Sequence, residues 1–212
     1  MDHVLLLHGF NKSSKDMAVL SEYLETFGFR CHALTLPLTR QEFDRVTQLV
    51  ANEVEELAGS HGSKVHLVGH STGGLLIRHL LKDYSAAEHI GRCVQLATPN
   101  KGSQLAMLAG TIKGYTSWFR TLKSLHTAYI EKLCLINDTP IEMGAIAGTN
   151  SNLWLGQFIK GENDGRVEVS SVDIPKLTDF TTLPFGHKDI HYHYETAVLT
   201  ARFLNTGSFS LD

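Results

Sequence analysis

The fold of this chain is decided by residues 64–75, which read KVHLVGHSTGGL. The apolar run Val65–Val68 predicts a strand, and the leucine-rich segment after Gly74 predicts a helix. Between them lies Gly69-x-Ser71-x-Gly73, a spacing typical of a serine held on a sharp strand–turn–helix junction. Small residues are needed on both sides of such a serine, because a Cβ there would collide with the strand and helix. The alternative is a glycine-rich turn with an incidental serine.

Short apolar runs alternate with longer amphipathic segments along the chain, a pattern typical of repeated strand–helix units. The predicted strands are His3–Leu7, Arg30–Leu34, Lys64–Gly69, Arg92–Ala97, Glu142–Gly148 and Phe180–Leu183. The predicted helices are Ser14–Phe27, Arg40–Ala58, Thr72–Tyr84 and His191–Leu204. Several strands are apolar on both parities, as strands covered on both faces are. The sequence therefore predicts an α/β fold, a three-layer αβα sandwich with about six mostly parallel strands, in one domain over residues 1–212.

Residues 102–137 break this alternation and are too many for a simple loop. One helical face collects their apolar side chains, Trp118, Leu122, Leu125, Tyr129 and Leu133. We therefore expect a helical insertion, or cap, in the domain. No Asp or Glu occurs between His89 and Ile130, while basic residues recur there. Together with Trp118 and Phe119, this composition favours a cap that binds an acyl chain or contacts an anionic membrane surface weakly. The alternative is an apolar face that only covers the sheet.

Composition excludes several classes of protein. The formal net charge of −3 argues against a nucleic-acid binder, which needs a broad positive surface. The chain has 3 Cys in 212 residues, too few for a disulfide framework and without a metal-binding pair. The first apolar run is too short for a signal peptide or a membrane span. These features predict a soluble, cytoplasmic protein, and no protein partner is indicated.

A nucleophilic serine needs a base, and the base needs an orienting acid. After a serine of this kind the acid comes first and the histidine second along the chain. His187 follows the last predicted strand, at the carboxyl end of the sheet where catalytic groups gather. His191 and His193 begin the final predicted helix and are weaker candidates. His187 is therefore the predicted base for Ser71.

The predicted acid is Asp164, which sits in an Asn-Asp-Gly turn that lets its side chain project. Glu162 and Asp173 are competing candidates, and Asp138 is a further one at the wrong end of a strand. The alternative for Asp164 itself is a solvated turn residue that caps its own backbone.

An oxyanion formed at Ser71 needs two backbone N–H donors. We expect them from Thr72, directly after the serine, and from Phe10, in the loop after the first strand. Gly9 would let that loop approach closely, and His8 is interpreted as a structural residue of the same loop. The series His187-x-x-x-His191-x-His193 could suit zinc, but such sites want further ligands. Neither a metal nor another cofactor is predicted.

The motifs together resemble the α/β-hydrolase superfamily, in its small lipase and esterase branch. The residues that carry the resemblance are Leu5–Phe10, Val68–Leu75, Ala97–Ser103, Asp164–Val167 and Leu183–His187. They occur in the family's order over almost the whole chain, beginning at what would be its third strand, as in the minimal bacterial lipases. The resemblance implies a parallel-rich sheet with Ser71, Asp164 and His187 as catalytic triad.

The expected function is that of a serine hydrolase that cleaves carboxylic esters of small or lipid-like alcohols through an acyl-enzyme. A thioesterase or an acyltransferase would use the same triad and is the alternative. A non-catalytic binding module on the same fold is a further alternative, which a broken triad would indicate.

Overall fold

A computed structural model describes residues 1–82, 87–102, 139–151 and 159–210. Within them, six strands form one sheet of order β2-β1-β3-β4-β5-β6, and each neighbouring pair is parallel. The strands are β1 (His3–Leu7), β2 (Arg30–Leu34), β3 (Val65–His70), β4 (Ile90–Leu96), β5 (Met143–Gly148) and β6 (Asp179–Leu183). The predicted parallel α/β sheet is therefore confirmed.

Helices cover both faces of the sheet. They are α1 (Ala18–Thr26), α2 (Phe43–His61), α3 (Thr72–Leu80), the short α4 (Val169–Val172) and α5 (Tyr194–Thr206). β1 is buried along its whole length. Leu5 and Leu7 pack with α2 and α3 on one face, whereas Val4 and Leu6 pack with α1 and α5 on the other. Side chains alternate between faces along a strand, so an apolar run on both parities requires two covering layers.

Three helix starts differ from the sequence prediction. Ser14–Met17 forms a 3-10 turn before α1, and Ile190–Tyr192 forms another before α5. The helix expected from Arg40 begins at Phe43. The apolar spacing of this helix also predicts that Leu49 is on its buried face, but Leu49 is 43% exposed, because it points about 100° around the helix from the buried Val50.

The site lies where the chain changes direction across the sheet. α1 follows β1 on one face, while α3 follows the neighbouring β3 on the other. In open α/β sheets the binding crevice usually lies at the carboxyl ends of the strands at such a change of direction, and Ser71 directly follows β3 there. Of the predicted insertion, residues 103–137 lie outside the described residues, so the cap stays a prediction. Among the described helices, none combines the length and hydropathy that crossing a bilayer requires.

Candidate active site

Ser71 occupies the junction between β3 and α3 in a strained backbone conformation. Its φ is 53° and its ψ −119°, a left-handed region that costs a non-glycine residue about 1–3 kcal/mol. A Cβ on Gly69 would lie 2.5 Å from the backbone of Gly73, and a Cβ on Gly73 would clash with the carbonyl of Leu7. The two glycines thus permit the close packing of β3, α3 and β1 that presents the serine at the crevice.

His187 lies between Ser71 and Asp164. Its Nε2 is 3.0 Å from Oγ of Ser71, and its Nδ1 is 2.7 Å from Oδ2 of Asp164. A carboxylate can only accept, so Nδ1 carries the proton and donates to Asp164. Nε2 is then the unprotonated nitrogen, which can accept the hydroxyl proton of Ser71.

Asp164 is held by the turn that contains it. Its Oδ1 accepts the backbone N–H groups of Arg166 at 2.9 Å and Val167 at 2.8 Å, which leaves Oδ2 for His187. Its backbone carbonyl also accepts the N–H of His187 at 2.9 Å. Asp164 is 1% exposed and His187 5%, so their contact is shielded from water. Short-range bonds of this kind fix both the carboxylate and the ring.

The competing candidates are placed elsewhere. Glu162 and Asp173 are exposed, and Asp138 lies outside the described residues. His193 stacks on Phe185, with ring centroids 3.6 Å apart, and its Nε2 lies 3.2 Å from Asp189.

His191 is fully buried beside a different carboxylate, Asp16, with Nε2 3.1 Å from Oδ2. The three late histidines therefore face three different carboxylates and do not converge on one point.

The loop after β1 passes close to Ser71. A Cβ on Gly9 would lie 3.2 Å from the Cβ of Ser71. Phe10 follows in this loop, and Thr72 is the first residue of α3. His8 is buried, with Nδ1–H donating to the carbonyl of Gly9 at 2.7 Å and Nε2 accepting the N–H of Leu36 at 2.8 Å. Burial lowers the pKa of His8, and both ring nitrogens serve the loop backbone. Trp118 and Phe119 lie outside the described residues.

Sequence reasoning missed a buried group next to this site. Asp16, His70 and His191 come from three separate parts of the chain, and their potential ligand atoms lie within 4.8 Å of one another. His70 stands inside the motif, between Gly69 and Ser71. No spacing in the sequence relates it to Asp16, so only the tertiary fold could bring the group to notice.

The parallel sheet and the serine junction define an α/β-hydrolase, and solved structures show the same fold. The mature lipase BlEst2 from Bacillus licheniformis aligns with a TM-score of 0.80 and 21% identity, over 97% of this chain and 91% of its own. The metagenomic carboxyl esterase MGS0156 aligns with a TM-score of 0.77 and 16% identity, over 96% of this chain and 75% of its own. Phospholipase PlaB from Legionella pneumophila aligns with a TM-score of 0.74 and 15% identity, over 98% of this chain and 60% of its own. At these identities the likeness establishes the fold.

The family is established by the sequence. The model of the family described as palmitoyl protein thioesterase matches residues 3–134, more than half of the chain. The chain belongs to this family, and it is a hydrolase. The match includes β1, the following loop and Ser71, and it ends before Asp164 and His187. No curated protein sequence matches the chain significantly.

Proposed function

We propose that the protein is a serine hydrolase that cleaves acyl esters through an acyl-enzyme on Ser71. The observation that carries this proposal is the continuous series of hydrogen bonds from Ser71 through His187 to Asp164. Distances of 3.0 and 2.7 Å are within the range required for a nucleophile, its base and the group that orients the base.

In the first half of the reaction, Oγ of Ser71 attacks the ester carbonyl carbon while its proton passes to Nε2 of His187. Asp164 stabilises the imidazolium that forms. The backbone N–H groups of Phe10 and Thr72 donate to the oxyanion of the tetrahedral intermediate. The intermediate collapses, the bond to the alcohol oxygen breaks, and the proton on His187 passes to that oxygen. The acyl group remains on Ser71.

In the second half, water attacks the acyl carbonyl while His187 takes one of its protons. The bond to Oγ of Ser71 then breaks, the carboxylic acid leaves, and the proton on His187 returns to Oγ. The cycle consumes one water and needs no other reactant. Among the described residues, the thiols of Cys31 and Cys93 are less suited as nucleophiles, since burial raises the pKa of Cys31 to about 12 and also raises the pKa of Cys93.

Turnover of p-nitrophenyl esters of increasing acyl length tests this proposal, with the wild type compared with Ser71→Ala. We expect the variant to lose roughly 10⁶-fold in kcat, as enzymes of this type do without their nucleophile. Ser170→Ala, a serine of α4, is a matched control and should keep wild-type turnover. Equal rates in the wild type and Ser71→Ala would overturn the proposal.

A second candidate is hydrolysis of acyl thioesters, which the family match favours. Ser71 would form the same acyl-enzyme, and only the leaving group would be a thiolate. Oxygen esters and thioesters with the same acyl chain separate the two possibilities by their kcat/KM. A preference for the thioester that exceeds the difference in intrinsic reactivity would favour the second candidate, and a preference for the oxygen ester the first. Transfer of the acyl group to an alcohol in place of water would instead indicate an acyltransferase.

The substrate proposal extends to the insertion. We propose that residues 102–137 contribute to the binding of the acyl chain or of a weakly contacted anionic lipid surface, on the grounds of their basic and aromatic composition. Trp118→Asp should then lower turnover of long-chain esters while sparing short ones. If Trp118→Asp lowered the turnover of long-chain and short-chain esters equally, only a role of the insertion in stability would remain. A cytoplasmic location is likewise part of the proposal, supported by the free thiols of Cys31 and Cys93.

A further inference from the structure

His70 connects the nucleophile's junction to the residue proposed as the base. It directly precedes Ser71 at the end of β3, and its ring is buried beneath the loop of His187. Its Nε2 lies 2.9 Å from the backbone carbonyl oxygen of His187. Because a carbonyl oxygen can only accept, Nε2 of His70 carries the proton and donates it. One hydrogen bond therefore spans the two chain segments that carry nucleophile and base.

The surroundings of His70 fix this tautomer. Burial, together with the nearby His191 and His187, lowers the pKa of His70 well below its ordinary value. The ring is therefore neutral at neutral pH, and with its proton on Nε2 it has none on Nδ1. Within the described residues Nδ1 has no hydrogen-bond partner, and a Cβ on Gly9 would lie 3.3 Å from it. His70 thus also lies against the loop that carries Phe10.

A neutral His70 suits the proposed chemistry. The ring centroids of His70 and His187 are 5.2 Å apart. His187 becomes positively charged when it takes the proton of Ser71, and a second positive ring at this distance would oppose that step. A neutral donor holds the His187 backbone without this repulsion.

The rest of the buried group keeps His70 in place. Its ring stacks on that of His191, with centroids 4.0 Å apart. His191 in turn approaches Asp16, whose Oδ1 accepts from Nζ of Lys12 and from the hydroxyl of Tyr192, both at 2.6 Å. Burial alone would raise the pKa of Asp16, but contacts with these three residues outweigh it and hold the pKa well below its usual range. A carboxylate thus anchors the far end of the group.

A metal ion fits this group less well than a set of polar contacts. A bound ion lies about 2 Å from each ring nitrogen, close to the plane of each imidazole. The rings of His70 and His191 are stacked with only 29° between their planes, so they do not aim at one point nearby. The ammonium group of Lys12 also already neutralises Asp16 and would repel a divalent cation. The geometry favours a positioning role.

We propose that His70 is a positioning residue: through its Nε2–H bond to the carbonyl of His187, it keeps the base within reach of Ser71. This inference rests on the proposed function. Displacement of a catalytic group by about 1 Å can cost roughly 100-fold in rate. His70 would act on the chemical step and not on substrate binding, so its loss should change kcat much more than KM.

Two amide substitutions test the position of the donor. In His70→Gln, the side-chain NH₂ can reach the place of Nε2, whereas in His70→Asn it reaches only the place of Nδ1. We expect His70→Asn to lose about 10–100-fold in kcat with KM within about twofold, and His70→Gln to stay within about fivefold of wild-type kcat. His66→Gln is a matched control on the same strand. There Nδ1 accepts the N–H of Arg92 at 2.8 Å, far from the crevice, so this variant should keep kcat even if it is less stable.

Each outcome decides the question. Equal kcat in wild type and His70→Asn, or equal losses in His70→Asn and His70→Gln, would overturn the role of the donor. Stoichiometric zinc in the purified wild type that is lost in His70→Gln would replace positioning with metal binding. If His70→Asn does not fold, as judged by its circular dichroism melt, the comparison of His70→Gln with His66→Gln still tests the idea. A fully active Ser71→Ala, in the same assay, would instead overturn the proposed function and this inference with it.

Discussion

Histidines cluster at both ends of this sheet, and the two clusters differ in their partners. At the carboxyl ends, His187 lies beside Asp164, and His191, which also stacks on His70, lies beside Asp16. Near the amino ends, His3 lies between two other imidazoles. The Nδ1 of His3 lies 2.9 Å from the Nε2 of His32, and its ring stacks on His61 with centroids 3.9 Å apart.

The difference shows that the partner, and not the residue type, decides what a histidine can do. Beside the buried carboxylate of Asp164, the imidazole of His187 donates one N–H and keeps its other nitrogen available to accept a proton. In the amino-end cluster, burial lowers the pKa of His3, and His61, His32 and Arg30 lower it further. Burial likewise lowers the pKa of His32. The first arrangement suits acid–base chemistry, and the second makes the fold sensitive to acid.

Among changes to the two histidine clusters and their carboxylates, removal of the charge on Asp164 should have the largest effect. In Asp164→Asn the side-chain amide can donate to Nδ1 of His187. This favours the tautomer of His187 with its proton on Nε2, and a protonated Nε2 cannot accept the proton of Ser71. We expect kcat for a short ester to fall by about 10⁴-fold, as in related triads. Glu162→Gln removes an exposed carboxylate two residues away and is the control. A loss below tenfold in Asp164→Asn would show that the carboxylate–histidine pair does not drive the reaction.

The second buried carboxylate should matter for stability. Asp16→Asn weakens contacts with His191, Lys12 and Tyr192, and removal of a buried hydrogen-bonding partner costs about 1–3 kcal/mol. Urea unfolding of wild type and variant measures this loss. Lys12→Met, which removes the more exposed partner, should cost less than about 1 kcal/mol. Because the fold lowers the pKa of Asp16 from its ordinary value of 3.8, its contribution is present at neutral pH and is lost as the pH falls from about 3.8 towards the lower pKa of the folded state. Equal stability of Asp16→Asn and wild type would contradict this role.

The amino-end cluster should have a smaller effect that depends on pH. The ordinary pKa of histidine is 6.5, and the folded state lowers it at His3 and His32. The unfolded chain therefore binds more protons, and stability falls as pH drops through about 6.5. The double variant His32→Gln with His61→Gln should show a smaller fall in melting temperature between pH 7 and pH 5 (roughly the range in which histidine titrates). His89→Gln, outside the cluster, should show the same dependence of melting temperature on pH as the wild type. The same dependence in all three proteins would contradict the assignment of this pH effect to the amino-end cluster.

Much of the fold could be predicted because its signals are local. Strands such as β1 are apolar on both parities, and the serine motif requires a strand before it and a helix after it. Helix starts were less accurate, because 3-10 turns such as Ile190–Tyr192 share the periodicity of the helices they precede. Leu49 shows a further limit, since the apolar character of a single helix residue does not reveal its exposure.

The candidate site residues could be predicted where two rules apply, the order of serine, acid and histidine along the chain and the position of these residues after the ends of strands. Those rules select Ser71, Asp164 and His187, and the structure brings their side chains together. They say nothing of Asp16, His70 and His191, because contacts between side chains distant in sequence arise only when the sheet is assembled. The proposed role of His70 rests on a single bond to a backbone carbonyl, which no sequence pattern encodes.

Covalent labelling tests the central claim most directly. A fluorophosphonate probe reacts with an activated serine, and peptide mapping by mass spectrometry locates the adduct. We expect one adduct, on Ser71, formed in parallel with loss of ester turnover, and neither labelling nor turnover in Ser71→Ala. An adduct on another residue, or ester turnover that persists after Ser71 is fully labelled, would contradict the assignment of Ser71 as the nucleophile.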